Sequence, residues 1–87
     1  MDVKLRNGVS STTTEYGSVL LDARNGECFQ LNSAGTAVLQ HLLDGRPPPE
    51  VAASLAEEYE VDPRQAEQDV IDLIEQLTTA RLVKVTL

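Results

Sequence analysis

Two side chains with distinctive reactivity occur once each, Cys28 and His41, and a thiolate with an imidazole base is the chemistry they would support together. A cysteine nucleophile needs that base within hydrogen-bond reach and a third group to orient it. Cys28 falls in an apolar run of strand character and His41 late in a helical stretch, and nothing in the sequence between brings them together. A half-buried strand cysteine and a boundary histidine are expected, with no catalytic residue. The same two residues and the scattered carboxylates lack the C-x-x-C or H-x-x-x-H spacing of a zinc site, so no metal and no cofactor is expected. Paired acids are abundant in Glu57-Glu58 and in Glu67, Asp69, Asp72 and Glu75. At that spacing they mark solvated helix faces rather than an acid/base pair.

The elements that would position these residues divide the chain in two. Thr, Val, Leu, Gly and Ser dominate the first third, which reads as strand, and Ala, Glu, Leu and Gln dominate the rest, which reads as helix. Val19-Leu20-Leu21-Asp22 and Cys28-Phe29-Gln30-Leu31 flank a turn containing Asn25-Gly26, a hairpin signal. A two-residue loop would pair Leu21 with Gln30 and mix polar and apolar residues on each face. A three-residue loop with Gly26 in the left-handed region pairs Leu21 with Phe29 and Val19 with Leu31, giving one apolar face, and is the register expected. An earlier strand within Val3 to Glu15 is expected to join across a turn at Tyr16-Gly17-Ser18, since a lone hairpin is barely stable. Three helices follow. The first is capped by Asn32 or Ser33 and closed by Asp44-Gly45, the second begins near Pro49-Glu50, and the third opens at Asp62-Pro63 with Gln65 completing a capping-box-like pair. Leu82 to Leu87 reads as a short terminal strand or a packed tail.

Size and charge exclude several classes. Eighty-seven residues support one domain, 1–87, with strands over about 3–31 and helices over about 33–80, too small for a deep catalytic cavity beside a cofactor domain. Seven Lys/Arg stand against fourteen Asp/Glu, a formal net charge of −7. Residues 1–43 carry four acids and three bases, residues 44–87 ten acids and four bases. Strands with three helices match a winged helix-turn-helix, whose third helix enters a DNA groove. Here that helix presents Asp62, Glu67, Asp69, Asp72 and Glu75 against Arg64 alone, which repels phosphate. Neither nucleic acid nor an anionic membrane is an expected partner. One cysteine, no apolar signal stretch and no membrane-span run point to a cytoplasmic protein. An acyl or peptidyl carrier is a reading from another class, but Asn32-Ser33-Ala34 lacks the Asp and Leu that flank the modified serine of such carriers, and the strands fit badly.

The order of features resembles the PqqD-type domain. The likeness runs over about residues 3 to 84 through Leu21-Asp22, a Gly-containing turn, Cys28-Phe29-Gln30-Leu31-Asn32, Ser33-Ala34-Gly35-Thr36-Ala37-Val38-Leu39, Leu42-Leu43-Asp44-Gly45, Leu55 to Tyr59-Glu60-Val61, Asp69-Val70 and Leu77 to Leu82-Val83. A departure falls at Arg81, near which the family often has Gly.

The resemblance implies an α+β, winged helix-turn-helix-like fold, an N-terminal three-stranded antiparallel sheet followed by three helices. It implies a non-catalytic domain that binds the leader of a ribosomally made precursor peptide as an added strand between the third strand and third helix. The implied peptide-binding residues are Cys28, Phe29, Gln30 and Leu31 on the strand and Asp69, Val70, Leu73, Gln76 and Leu77 on the helix. At 100° per residue Val70 and Leu77 lie central to the apolar stripe, with Leu73 at its border and Asp69 and Gln76 just beyond. A stand-alone domain of this length is similar to the leader-binding protein of lasso-peptide clusters. That likeness implies a leader peptidase, a transglutaminase-like cysteine protease, and a macrolactam synthetase as further partners. The peptide chaperone of pyrroloquinoline quinone biosynthesis is the alternative.

Overall fold

Val, Leu and Thr alternating between glycine-bearing turns carry the first third of the chain through four strands, in a computed structural model that describes residues 1–86. β1 spans Asp2–Leu5, β2 Val9–Thr14, β3 Gly17–Asp22 and β4 Glu27–Asn32. Helices α1 (Ser33–Leu43), α2 (Pro48–Glu58) and α3 (Pro63–Thr79) follow, and β5 (Val83–Thr86) ends the described chain. The strands form two antiparallel sheets, a pair β1-β5 and a three-stranded β2-β3-β4. The α+β class, with a three-stranded sheet ahead of three helices, is as expected. The second sheet is additional: β1 finds its partner at the far end of the chain, Val3 opposite Val85. Leu87, the last residue of the expected terminal strand, lies outside the described residues.

The hairpin register differs from both expected ones. Asp22 pairs with Glu27, Leu20 with Phe29 and Ser18 with Leu31, so that Ala23-Arg24-Asn25-Gly26 forms a four-residue loop. The cause is Asp22. One carboxylate oxygen accepts from the Arg24 backbone N–H at 3.0 Å, the other from Asn25 Nδ2 at 2.9 Å, and the Asp22 carbonyl accepts from Gly26 N–H at 2.8 Å. This local hydrogen bonding sets the loop length, and the loop length sets the register. Every β3 side chain therefore faces opposite to expectation. Leu20 is fully buried and Asp22 is 2% exposed, whereas Leu21 is 42% exposed and Val19 shares its outer face. Cys28 and Gln30 also point outward, as expected. β2 and β3 reverse through Glu15-Tyr16, one residue earlier than expected, because Thr14 already pairs with Gly17. Gly17 sits at φ 147°, and a Cβ there would strike the Leu31 carbonyl.

The helix ends follow local chemistry. Asn32 caps α1, its side-chain oxygen accepting from Gly35 N–H at 2.7 Å, and Gly45 leaves the helix at φ 89°. Asp62 caps α3 by accepting from Arg64 N–H at 2.8 Å, with Pro63 in the first turn. Gln65 does not complete a capping box: its amide donates forward to Asp69 at 2.8 Å. The core joins Leu20 and Leu31 to Val38, Leu39 and Leu42 of α1, Val51 and Leu55 of α2, Val70 and Leu77 of α3, and Val3 and Val83 of the small sheet. Each large apolar side chain so buried contributes about 1.5–3 kcal/mol. Among the described residues, no helix is long and apolar enough to cross a membrane.

Candidate functional site

Among the described residues β4 is an edge strand, with β3 on one side only. The direction of its backbone groups follows from parity. Ala23 N–H donates to the Gly8 carbonyl at 2.9 Å, so residue 23 addresses the β2 side, and its even-numbered neighbours Ser18, Leu20 and Asp22 address β4. Their partners Leu31, Phe29 and Glu27 are consumed in the ladder. Cys28 and Gln30 consequently aim N–H and C=O at the free edge. Such an edge is a template for an added strand.

Beside this edge runs a groove whose far wall is α3. At one end Phe29 of β4 faces Asp72, Glu75, Gln76, Thr79 and Ala80. At the other, past the end of β4, a pocket of ≈ 420 Å³ is enclosed by Asn32, Gly35 and Val38, by Leu55, Tyr59 and Val61, and by Asp69, Asp72, Leu73 and Gln76. The floor is apolar because α1, α2 and α3 converge there with Val38, Leu55 and Leu73. The rim is acidic. Gln65 and Gln68 donate to Asp69 and Asp72 at 2.8 Å each, one turn apart along α3, which holds both carboxylates against the helix. Asp72 and Gln76 belong to both ends and make the groove continuous.

A polar brace joins the β3-β4 turn to the residue after Ala80, outside the groove lining. Arg24 Nε donates to Asp22 Oδ1 at 3.1 Å and its Nη2 to Oδ2 at 3.3 Å, while Nη2 also donates to the Arg81 carbonyl at 3.2 Å. These hydrogen bonds, with those from the Arg24 backbone and Asn25, hold the Asp22 carboxyl below its ordinary pKa against the opposing effect of burial. Arg81 follows the end of α3 in the left-handed region at φ 60°, the position near which Gly was the family expectation.

The residues singled out from sequence fall into three groups. Asp69, Leu73 and Gln76 line the apolar pocket, and Phe29, half-buried, lines the other end with Gln76. Cys28 and Gln30 present backbone at the edge, but their side chains are exposed on the outer sheet face. Leu31, Val70 and Leu77 are buried in the core, the last two at 1% exposure, and none of the three lines the groove; Val70 lies beside Pro48 and Pro49 instead. Sequence reasoning missed Val38, Leu55, Tyr59, Val61 and Asp72. Tyr59, at the end of the α2 apolar stripe and 39% exposed, was the available signal. Cys28 and His41 do not form a site: Cys28, expected half-buried, is exposed because its side chain lies on the outer sheet face, and His41 Nδ1 lies 3.0 Å from Arg46 Nη1, accepting from a group that can only donate. Among the described residues, no group of three or more His, Cys, Asp or Glu could hold a metal ion.

Solved structures give a consistent comparison. A lasso peptide synthetase B1 complexed with the leader peptide is 40% identical, with a TM-score of 0.92 over 98% of this chain and 100% of that one. TbiB1 in complex with the TbiA(beta) leader peptide is 27% identical, with a TM-score of 0.84 over 97% and 98%. The PqqD truncation of Methylobacterium extorquens PqqCD, a functional and stand-alone recognition element for ribosomally synthesized and post-translationally modified peptides, is 29% identical, with a TM-score of 0.75 over 95% and 88%. No curated protein matches the chain. The family model for coenzyme PQQ synthesis protein D matches residues 17–83, and the chain belongs to this PqqD family.

Proposed function

We propose that this protein binds the leader of a ribosomally made precursor peptide in lasso-peptide biosynthesis. The observation that carries the reading is the free β4 edge lying along an apolar, acid-rimmed groove, on a fold that matches a leader-bound synthetase B1 with a TM-score of 0.92. The leader adds as a strand to the backbone of Cys28 and Gln30, and its inward side chains enter the groove between β4 and α3. Phe29, Asp69, Leu73 and Gln76 are the contacting side chains, while Leu31, Val70 and Leu77 belong to the core that carries β4 and α3. The chain acts as one winged helix-turn-helix-like domain in the cytoplasm whose third helix reads a peptide rather than DNA. It carries no chemistry of its own and presents the precursor to a leader peptidase, a transglutaminase-like cysteine protease, and to a macrolactam synthetase.

Delivery of a peptide in pyrroloquinoline quinone biosynthesis is the second reading, favoured by the match to PqqD of Methylobacterium extorquens. Its lower identity, 29% against 40%, ranks it behind the lasso reading. The test is a titration of the labelled leader of the cognate precursor peptide against wild type, Leu73→Arg and Asp69→Ala. Weaker binding by the variants is expected. Unchanged affinity in both overturns the groove assignment, and no binding by wild type overturns the function.

A further inference from the structure

We propose that Arg24 is a positioning residue that sets the separation of the two groove walls. Its guanidinium bridges the β3-β4 turn, through Asp22, and the end of α3, through the carbonyl of Arg81, which lies 57 positions beyond Arg24 in sequence. The inference rests on the leader-binding reading above and goes beyond it, since Arg24 touches no part of the groove surface itself.

Three observations support the assignment. First, the groove occupies the space between β4 and α3 from Phe29 to the α1 end, so the two walls lack the side-chain packing that ordinarily fixes neighbouring elements. Second, Arg24 is seated rather than loose. Its aliphatic stem lies over Gly8, where an added Cβ would come within 2.9 Å of Arg24 Cγ, and Ala23 next to it is bonded to the Gly8 carbonyl. Third, the acceptor on α3 is presented in a fixed geometry. Arg81 N–H donates to the Thr78 carbonyl at 3.0 Å and Leu82 N–H to the Leu77 carbonyl at 2.9 Å, so the left-handed turn at Arg81 directs its carbonyl toward the hairpin. A planar guanidinium with several donors can hold a carboxylate and a carbonyl together, which an ammonium at the end of a flexible stem does less well. Without the bridge the hairpin tip and the end of α3 are joined only indirectly, through the Arg6–Val9 turn that bonds Leu82 at one end and Ala23 at the other, and the spacing that accepts an added strand becomes one of several. If that spacing falls to about a tenth of the population, apparent leader affinity falls about tenfold with no leader contact removed.

The test compares wild type with Arg24→Met, which keeps the stem over Gly8 and removes the bridge, and with Arg24→Lys as the conservative variant. Spin labels at native Cys28 and at Thr78→Cys report the β4 to α3 distance distribution in leader-free protein. Unlabelled proteins are titrated with two labelled peptides, the leader of the cognate precursor and the leader bound by the 40%-identical synthetase B1. A broadened distribution and about tenfold weaker binding are expected for Arg24→Met at a temperature where circular dichroism reports it fully folded, with Arg24→Lys between it and wild type. Wild-type values for either readout in Arg24→Met overturn the proposal. If wild type binds neither peptide, the leader-binding reading fails, and the distance distribution alone then decides whether Arg24 holds the walls. Should Arg24→Met not fold, Arg24→Lys is read by the same two criteria.

Discussion

The hydroxyls of Ser18 and Thr36 meet at 2.8 Å in the interior, joining β3 to the first turn of α1. Thr36 Oγ1 also donates to the Asn32 carbonyl at 2.8 Å, and a hydroxyl has one proton, so Ser18 is the donor and Thr36 the acceptor in their shared bond. The two residues are thus unequal. Ser18→Ala removes a donor and leaves Thr36 bonded to Asn32, at a cost of about 1 kcal/mol. Thr36→Val leaves the buried Ser18 hydroxyl without an acceptor and costs about 2 kcal/mol. Urea unfolding measures both. A cost for Thr36→Val equal to or below that of Ser18→Ala would contradict the donor assignment.

The pairing of Leu20 with Phe29 divides β4 into backbone groups used by the sheet and backbone groups left free. Proline scanning separates the two sets, because proline removes one N–H. Gln30→Pro leaves the ladder to β3 intact and removes an edge donor; the protein is expected to stay folded and to lose roughly tenfold in leader affinity, about one hydrogen bond. Phe29→Pro breaks the ladder and is expected to lower the unfolding midpoint sharply. Circular dichroism and leader titration together check the pair. Equal stability loss in the two variants would mean that the ladder parity is reversed.

Local interactions made the helices legible and obscured the sheet. Asn32, Asp44-Gly45 and Asp62-Pro63 act within one turn of where they stand, so their residue types alone predict the ends of α1 and the start of α3. The β3-β4 register depends on a side chain. Asn25-Gly26 reads as the centre of a shorter loop, but Asp22 captures the turn's donors and lengthens it. The β1-β5 pairing joins opposite ends of the chain and has no local signature. The groove was half legible for a related reason. Its α3 wall lies on one helix, where the resemblance to the PqqD-type domain implied Asp69, Leu73 and Gln76 and periodicity set them at the border of the apolar stripe, whereas Val38, Leu55 and Val61 come from separate elements and read individually as core.

Arg81 and Glu60 hold left-handed backbone at φ 60° and 52°, each just after a helix, where glycine avoids the steric conflict of a Cβ. Both side chains are exposed, so little packing is lost on substitution. Arg81→Gly and Glu60→Gly are expected to stabilise the fold by about 0.5–1 kcal/mol each, the relief of strain partly offset by greater freedom of the unfolded chain. Chemical denaturation tests this. Destabilisation by either change would mean that its side chain makes a contribution larger than its backbone conformation costs.

Asp22 gives the fold a defined acid sensitivity. Its folded pKa lies below the unfolded value, chiefly through the Arg24 hydrogen bond. Its contribution is therefore fully present above the unfolded value, about 3.9, and is lost as pH falls through the lower folded value. Asp22→Asn does not titrate, so the stability gap between wild type and this variant should be constant near neutrality and shrink as pH drops below about 4. Unfolding measured along a pH series decides it. A gap that persists unchanged through that window would exclude Asp22 as the titrating group.

The acidic rim of the groove bears on which leaders bind. Asp69 and Asp72 are held along α3 by their glutamine partners, and Glu75 continues the series beside Phe29, so three carboxylates flank one wall of an otherwise apolar trough. They are exposed, where each ion pair with a leader Lys or Arg contributes only about 0.2–1 kcal/mol and is screened over roughly 8 Å at physiological salt. Apolar burial is consequently expected to supply most of the affinity, with charge selecting among leaders and raising the association rate. Raising NaCl from about 0.05 to about 0.5 M should weaken leader binding several-fold, mainly through slower association, and Asp72→Asn should flatten that dependence. Stopped-flow association measured across the salt series reads both effects. An association rate insensitive to salt in wild type would assign the acidic rim to solubility and leave recognition to the pocket of Val38, Leu55 and Leu73.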